Sequence, residues 1–140
     1  MSGSEQKVVK EMGKARIVIV DTSSDVDQSN DMDIIITGSH GGVNACEHLA
    51  NLKIKGMVSN DAGIGKNEAG IAGMKALDKY DIPAVAVSTM SAKIGNGTST
   101  YEQGSLSATN ELAKKLGIRE GMSAREAADI MLEDLAKKSA

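Results

Sequence analysis

The chain has 140 residues, which suit a single domain, and a formal charge of −3 from 16 Lys and Arg against 19 Asp and Glu. This acidic balance, without any basic run, argues against a nucleic-acid-binding surface. No apolar run approaches the roughly 20 residues that a membrane span requires, and the polar start lacks the apolar core of a signal peptide, so we expect a cytoplasmic protein without nucleic-acid or membrane partners.

The core must be built almost without aromatic side chains, because the sequence has no Phe, no Trp and only two Tyr. Aliphatic residues and eight Met must fill it, with Met as the adaptable gap-filler. The 15 glycines indicate many backbone positions with positive φ or close approach. Because glycine loses much conformational entropy on folding, we expect extra buried area from assembly into a homo-oligomer.

Residues 1–14 are polar, with Val8, Val9 and Met12 at helical spacing. They predict a short docking helix or a partly disordered segment ahead of a single domain at residues 15–140. Arg16 to Asp21 is β-branched and predicts the first buried strand. Residues 22–33 are acidic but lack the glycine and the closing glutamate of an EF-hand loop. They predict a solvated connection rather than a metal site, with the alternative that this long segment covers the functional site.

Strand and helix patterns then alternate along the chain. Strands are predicted at residues 34–37, 57–59 and 84–89, and helices at residues 43–52 and 69–80. This alternation with short connections predicts a single-domain, three-layer, Rossmann-like α/β fold with a mainly parallel sheet of about four strands. A polar glycine loop at 89–104 follows, and further helices are predicted at 105–116 and from the Ser123–Glu126 capping box to about residue 138.

The single cysteine, Cys46, lies on the apolar side of the predicted helix at 43–52. A small buried residue is favoured there over a nucleophile. One thiol cannot form an internal disulfide, which indicates a reducing compartment. His48, in the middle of the same helix, is predicted to be a surface residue.

The first candidate loop follows the strand at 34–37. Carboxyl ends of parallel strands meet at one edge of a sheet, where ligands usually bind. His40 lies there among glycines, and the start of the next helix adds positive potential for an anion. This pattern predicts His40 as a general acid or base, with Ser39, Gly41 and Gly42 as ligand contacts. The alternative is a tight turn in which the histidine only caps a carbonyl group.

The second candidate loop, residues 60–68, departs from both nucleotide-binding motifs. Asn60 and Asn67 replace the glycine and the hydroxyl residue of the phosphate-binding loop, and Glu68 replaces the third glycine of the dinucleotide motif. The loop still suits a small anionic ligand, with Asp61 as base or hydrogen-bond anchor and Lys66 as charge clamp. Further ligand contacts are expected from Asn60, Gly63 and Gly65. The alternative is that Asp61 caps a helix and Lys66 is solvated.

The third candidate loop, residues 88–102, offers hydroxyls, an amide and an ammonium group to a carboxylate or carbonyl. Thr89, Ser91 and Lys93 are the expected contacts, and Tyr101 and Glu102 are predicted to close over the ligand. Ser91 lacks the G-x-S-x-G elbow of serine hydrolases. The alternative is an ordinary hydroxyl-rich connection.

Two resemblances follow from these blocks. Ser39-His40-Gly41 and Asn60-Asp61-Ala62-Gly63, each after a hydrophobic strand, resemble the signature blocks of caspase-like cysteine peptidases. Gly63 stands where the nucleophile should be, so peptidase activity is not implied. The combination GSHGG, NDAGIGK and SAKIG is also similar to a family of small uncharacterised bacterial and archaeal α/β proteins. That likeness spans residues 34 to about 125, and it implies one common site built from the three loops without implying a reaction.

The three loops together predict an enzyme acting on a small anionic metabolite by hydrolase, lyase or isomerase chemistry. His40 would be the acid or base, Asp61 would orient or share the proton, and Lys66 and Lys93 would hold negative charge. No metal or other cofactor is expected. Two rivals stay open: a non-catalytic anion-binding or regulatory module, and a structural subunit of a larger enzyme.

Overall fold

The structure, a computed structural model, describes residues 6–63 and 71–139. Six strands form one sheet in the order in which they occur along the chain. They are β1 Lys7–Met12, β2 Ala15–Val20, β3 Asp33–His40, β4 Gly56–Asn60, β5 Ala84–Val87 and β6 Leu106–Thr109. Strands β2 to β5 are parallel, and β1 and β6 run antiparallel at the two edges. The α/β class and the mainly parallel sheet are confirmed, whereas the expectation of about four strands was wrong, because the sheet has six.

Helices cover both faces of this sheet. The described helices are α1 Val43–Asn51, α2 Ala72–Leu77, α3 Gly97–Gln103, α4 Glu111–Lys115 and α5 Ala124–Ser139. On one face, called the α1 face, buried residues of α1 and α2 such as Leu49 and Leu77 pack on Ile35. On the other, called the α5 face, Leu132 packs on Ile34. Alternate residues of the central strands are buried on each side, so the β-branched runs read as continuously hydrophobic.

Residues 7–12 form an edge strand rather than the docking helix considered from their spacing. Gly13, with φ 63°, lets the chain turn back so that Met12 pairs with Ala15. A β-bulge between Val8 and Lys10 breaks the alternation of side chains. Because bulges interrupt the period of two, the apolar residues of this strand imitate a helical pattern.

The prediction of a helix at residues 105–116 was wrong for the first half of this range. Leu106–Thr109 is β6, and only Glu111–Lys115 is helical. Buried Asn110 separates the two elements: its Oδ1 caps α4 through the Ala113 amide at 3.0 Å and also accepts the Ala84 amide at 3.0 Å. The tertiary contact with β5 therefore overrides the helical pattern. The predicted loop at 89–104 likewise contains a helix, α3.

The last predicted helix is confirmed. Ser123 Oγ accepts the Glu126 amide at 3.1 Å, and Glu126 Oε1 accepts the Ser123 amide at 3.4 Å, which is a capping box. The helix that follows packs on the α5 face through its small and apolar side chains. Of the helices in the described ranges, none combines the length and the apolarity needed to cross a bilayer.

Candidate functional site

The carboxyl ends of β3, β4 and β5 meet at one edge of the sheet. His40 pairs with Asn60 in the β3–β4 ladder, and Asn60 pairs with Val87 in the β4–β5 ladder. His40 is the last residue of β3 rather than part of a free loop. Neighbouring strands lie about 4.8 Å apart, so the ends of the first two candidate loops are adjacent.

The third loop crosses directly over these strand ends. The Gly95 amide donates to Gly38 O at 2.8 Å, and Asn60 Nδ2 donates to Ala92 O at 3.3 Å. Gly38 must be glycine for this approach, because a Cβ atom there would overlap the backbone nitrogen of Asn96. The segment from Ala92 to Gly95 therefore lies across the ends of β4 and β3, and it carries the exposed side chain of Lys93.

The pairing of His40 with Asn60 indicates that its side chain lies on the face where this segment crosses. Residues paired in a ladder share a face of the sheet, and Asn60 lies two residues beyond Val58, which is buried on the α5 face. The Asn60 amide reaches Ala92, which belongs to the same buried cluster. The structure thus brings His40 and the Lys93-bearing segment to one side of the edge.

His40 is exposed, and one of its ring nitrogens is already occupied. Its Nδ1 accepts a hydrogen bond from the Gly42 amide at 3.0 Å. A nitrogen that accepts carries no proton, so the neutral imidazole has its proton on Nε2. The Gly42 contact also fixes the ring relative to the start of α1, because Gly42 is the residue before the first turn of that helix. Nε2–H is left as a donor towards solvent.

Asp61 is only 4% exposed, and its carboxylate accepts three hydrogen bonds. The Gly63 and Thr89 amides donate to Oδ1 at 2.7 and 3.0 Å, and Ser107 Oγ donates to Oδ2 at 2.6 Å. These bonds join the loop after β4 to the loop after β5 and to β6. Asp61 is therefore placed to hold the loops in a fixed relation.

Ser107 belongs to this cluster, and sequence reasoning did not find it. It is the extra residue of a β-bulge, because Ala86 pairs with Ala108 while Val87 pairs with Leu106. Bulges redirect side chains and are common beside functional sites. Because residues 105–116 are predicted to form a helix, the sequence assigns Ser107 no position near Asp61. Nothing in the local sequence indicates the bulge.

The backbone after Asn60 is strained. Asn60 Oδ1 accepts the Ala62 amide at 2.7 Å, and Ala62 and Gly63 have φ values of 52° and 76°. Left-handed backbone is costly for alanine, and such residues cluster at functional sites. The predicted contacts Gly65 and Lys66 lie outside the described residues.

Several predicted ligand contacts are engaged within the protein. Ser39 Oγ accepts the Ser23 amide at 3.1 Å, and Gly41 O accepts the Gly73 amide at 2.9 Å. Ser91 Oγ donates to Ser88 O at 2.7 Å and accepts the Ser105 amide at 3.0 Å. These residues shape the loops through contacts of their own.

Tyr101 and Glu102 lie on α3, and both contact Arg125 of α5. The guanidinium carbon is 5.0 Å from the centre of the Tyr101 ring, and Arg125 Nη2 is 3.8 Å from Glu102 Oε2. The contacts observed for this pair are therefore directed at α5 rather than at His40.

Cys46 is fully buried on the α1 face, and burial raises the pKa of its thiol to about 12. A thiol in this state is not a nucleophile at neutral pH, which agrees with the structural role expected for it. His48 is exposed on α1.

The acidic segment after β2 uses its carboxylates to organise the chain. Asp27 Oδ1 caps a 3₁₀ turn through the Ser29 amide at 2.9 Å, and Asp21 Oδ1 accepts the Gly97 amide at 2.9 Å. Buried Asp33 accepts from both Nε and Nη2 of Arg16, at 2.9 and 2.6 Å. Within residues 6–63 and 71–139, no group of three or more His, Cys, Asp or Glu side chains is placed to hold a metal ion.

Comparison with protein-family models, with curated proteins and with solved structures finds no match to this chain.

Proposed function

We propose that the chain is an enzyme that performs acid–base chemistry on a small anionic metabolite at the carboxyl edge of the sheet. The observation that carries the proposal is the state of His40: its Nδ1 is held by the Gly42 amide and its ring is exposed, while its ladder partner Asn60 binds the segment that bears Lys93. A histidine in a fixed tautomer, presented at the end of a buried parallel strand, is suited to proton transfer.

Each residue has a distinct part in this proposal. His40 Nε2–H donates to an oxygen atom of the ligand and exchanges its proton during the reaction. Lys93 lies on the same side and attracts the negative charge, and Lys66 is proposed as a second clamp. Asp61 holds the loop ends through Thr89 and Ser107, so it acts by orientation. A positioned acid or base of this kind contributes typically 10²–10⁴-fold to a rate.

The chemistry of the ligand follows from the donors available. A carboxylate, amide or phosphate compound offers the oxygen atoms that an imidazole N–H and an ammonium group bind. Hydrolysis, elimination and isomerisation each need a proton to be moved at such a group. Substrate profiling with these three compound classes would separate the reactions.

The binding step can be tested by NMR, because the chain has only two histidines. In the His48→Gln variant the remaining imidazole signal belongs to His40, and phosphate and a panel of small carboxylates serve as probes. We expect saturable movement of the His40 signal, weakened in Lys93→Gln and unchanged in Lys79→Gln, which alters an exposed lysine of the Asp78–Tyr80 turn. If no anion moves the signal, the proposed site is wrong.

Catalysis is separated from binding with His40→Gln and Asp61→Asn. An enzyme keeps ligand binding in His40→Gln and loses turnover. A binding or regulatory module loses binding with no turnover in the parent, and a subunit of a larger enzyme becomes active only with its partner chain. The proposed homo-oligomer is checked separately by light scattering.

A further inference from the structure

A cavity lies at the edge of the sheet opposite His40. It has a volume of about 270 Å³ and is enclosed by the chain entering the central strands, the turn after α2 and the second half of α5. Its lining includes Lys55, Tyr80, Asp81, Met131, Asp134 and Lys138. Strand β4 separates the two edges by about 15 Å, at roughly 3.3 Å per residue. This volume is just below the roughly 300–1,000 Å³ of typical ligand pockets, which suits only a small metabolite.

One part of the cavity is apolar. Tyr80 leaves half of its surface exposed beside it, whereas Met131 is 2% exposed. Met131 lies so close to the start of β4 that its Sδ would be 2.9 Å from a Cβ atom on Gly56. Glycine at this position therefore allows the thioether to form part of the cavity wall, which Tyr80 also lines. An aromatic ring and a thioether in one cavity wall offer a surface for an aliphatic or aromatic group.

The other part of the cavity carries charge of both signs. Asp134 and Lys138 neutralise each other, with 3.1 Å between Oδ2 and Nζ. Lys55 and Asp81 line the same cavity, yet neither forms an ion pair with any residue in the described part of the chain. One ammonium group and one carboxylate are thus left for a ligand.

We propose that this cavity binds a free α-amino acid with an apolar side chain. The carboxylate of the ligand pairs with Lys55, its ammonium group pairs with Asp81, and its side chain packs between Tyr80 and Met131. A ligand with both charges satisfies both unpaired groups, whereas a simple anion or cation leaves one unpaired. The site is separate from the His40 edge and does not depend on the function proposed there.

The probes are L-leucine and L-phenylalanine, titrated calorimetrically into the full chain. Each is compared with analogues that lack one charge: 4-methylpentanoate and isopentylamine for leucine, 3-phenylpropionate and phenethylamine for phenylalanine. We expect saturable binding of at least one amino acid, with affinity reduced at least about tenfold in its analogues, because charge-assisted hydrogen bonds are strong. High salt should weaken the binding, since both charged groups are exposed.

Two variants assign the contacts. Lys55→Gln and Asp81→Asn should each weaken binding about tenfold or more, and Lys55→Arg should restore most of it. Asparagine is chosen because Asp81 has φ 63°, a left-handed conformation that asparagine tolerates. Controls are Lys79→Gln and Asp31→Asn, which change exposed charges that do not line the cavity, and His40→Gln, which changes the other edge. All six variants should keep the unfolding temperature of the parent without ligand.

Any one of the following results would overturn the inference. They are the absence of binding by leucine and phenylalanine at millimolar concentration, equal affinity for the analogues that lack one charge, and unchanged affinity in both Lys55→Gln and Asp81→Asn. Loss of binding in His40→Gln would place the amino acid at the carboxyl edge instead and would also overturn it.

Discussion

The hydroxyl of Ser107 on β6 donates a 2.6 Å hydrogen bond to Oδ2 of Asp61, which follows β4, so this contact spans the intervening strand β5. Asp61 is 4% exposed, and removing the donor leaves one carboxylate oxygen without its partner. We expect Ser107→Ala to lower the free energy of unfolding by about 1–3 kcal/mol. Urea denaturation measures this change. Ser105→Ala, which alters an exposed hydroxyl next to the same strand, should change it by less than about 0.5 kcal/mol; equal effects would argue against the bond.

A substitution at Ala62, in contrast, is expected to stabilise the protein. Its φ of 52° is left-handed, a conformation that costs alanine roughly 1–2 kcal/mol and glycine almost nothing. Ala62→Gly should therefore raise the free energy of unfolding by about 1 kcal/mol. Ala45→Gly, inside α1, should lower it by about 1 kcal/mol. Destabilisation by both substitutions would show that the backbone at residue 62 is not strained.

Cys46 predicts a dependence of stability on alkaline pH. Burial raises the pKa of its thiol from an ordinary 9.0 to about 12, so between these values the unfolded chain loses the proton while the folded chain keeps it. Stability contributed by the buried thiol is complete below about pH 9 and falls as the pH rises, by up to about 1.4 kcal/mol per pH unit. Comparison with Cys46→Ala isolates this contribution from other groups. Parallel pH profiles for the two proteins would contradict it.

The same burial governs chemical reactivity. Cys46 is fully buried, so a thiol reagent at pH 8 should react with it only when the chain opens, and quantitatively in denaturant. The rate of labelling in native buffer, compared with that in urea, provides the measurement. Rapid labelling of the native protein would mean that the α1 face is open to solvent.

His40 predicts a single neutral tautomer. The Gly42 amide donates to Nδ1, so long-range ¹H–¹⁵N correlation spectra of the neutral imidazole should show the proton on Nε2. His48, which is exposed on α1, provides the comparison within the same sample, and His48→Gln assigns the signals. A proton on Nδ1 of His40 would be incompatible with the hydrogen bond from the Gly42 amide.

The central sheet could be predicted from the sequence because its strands are buried on both sides. Runs such as Ile34 to Thr37 and Ala84 to Val87 are short, β-branched and bounded by polar residues, so their state follows from local pattern alone. The sequence also predicts where the candidate loops meet, because the carboxyl ends of parallel strands share an edge of the sheet. His40 and Asn60 do lie together there.

The edge strands could not be predicted, because their state is decided by pairing rather than by pattern. Leu106 is held by the Met122 and Gly121 backbone on one side and by β5 on the other, and these residues are distant in sequence. The contact between Ser107 and Asp61 depends on this pairing and on a bulge. Likewise, no local sequence pattern indicates that the backbone at Asn96 packs so closely on residue 38 that only glycine fits there.

The strand order also bears on how the protein folds. Strands β2 to β5 add to the sheet in the order in which they are synthesised, so each new strand finds its neighbour with a short loop to close. The α1 face is covered by the helices between these strands. The α5 face, including Ile17, Ile34 and Val58, is covered in part by α3 and is covered completely only when residues 124–139 emerge. A nascent chain stalled before that helix exposes a strip of β-branched side chains, which is a substrate for chaperones and a template for aggregation.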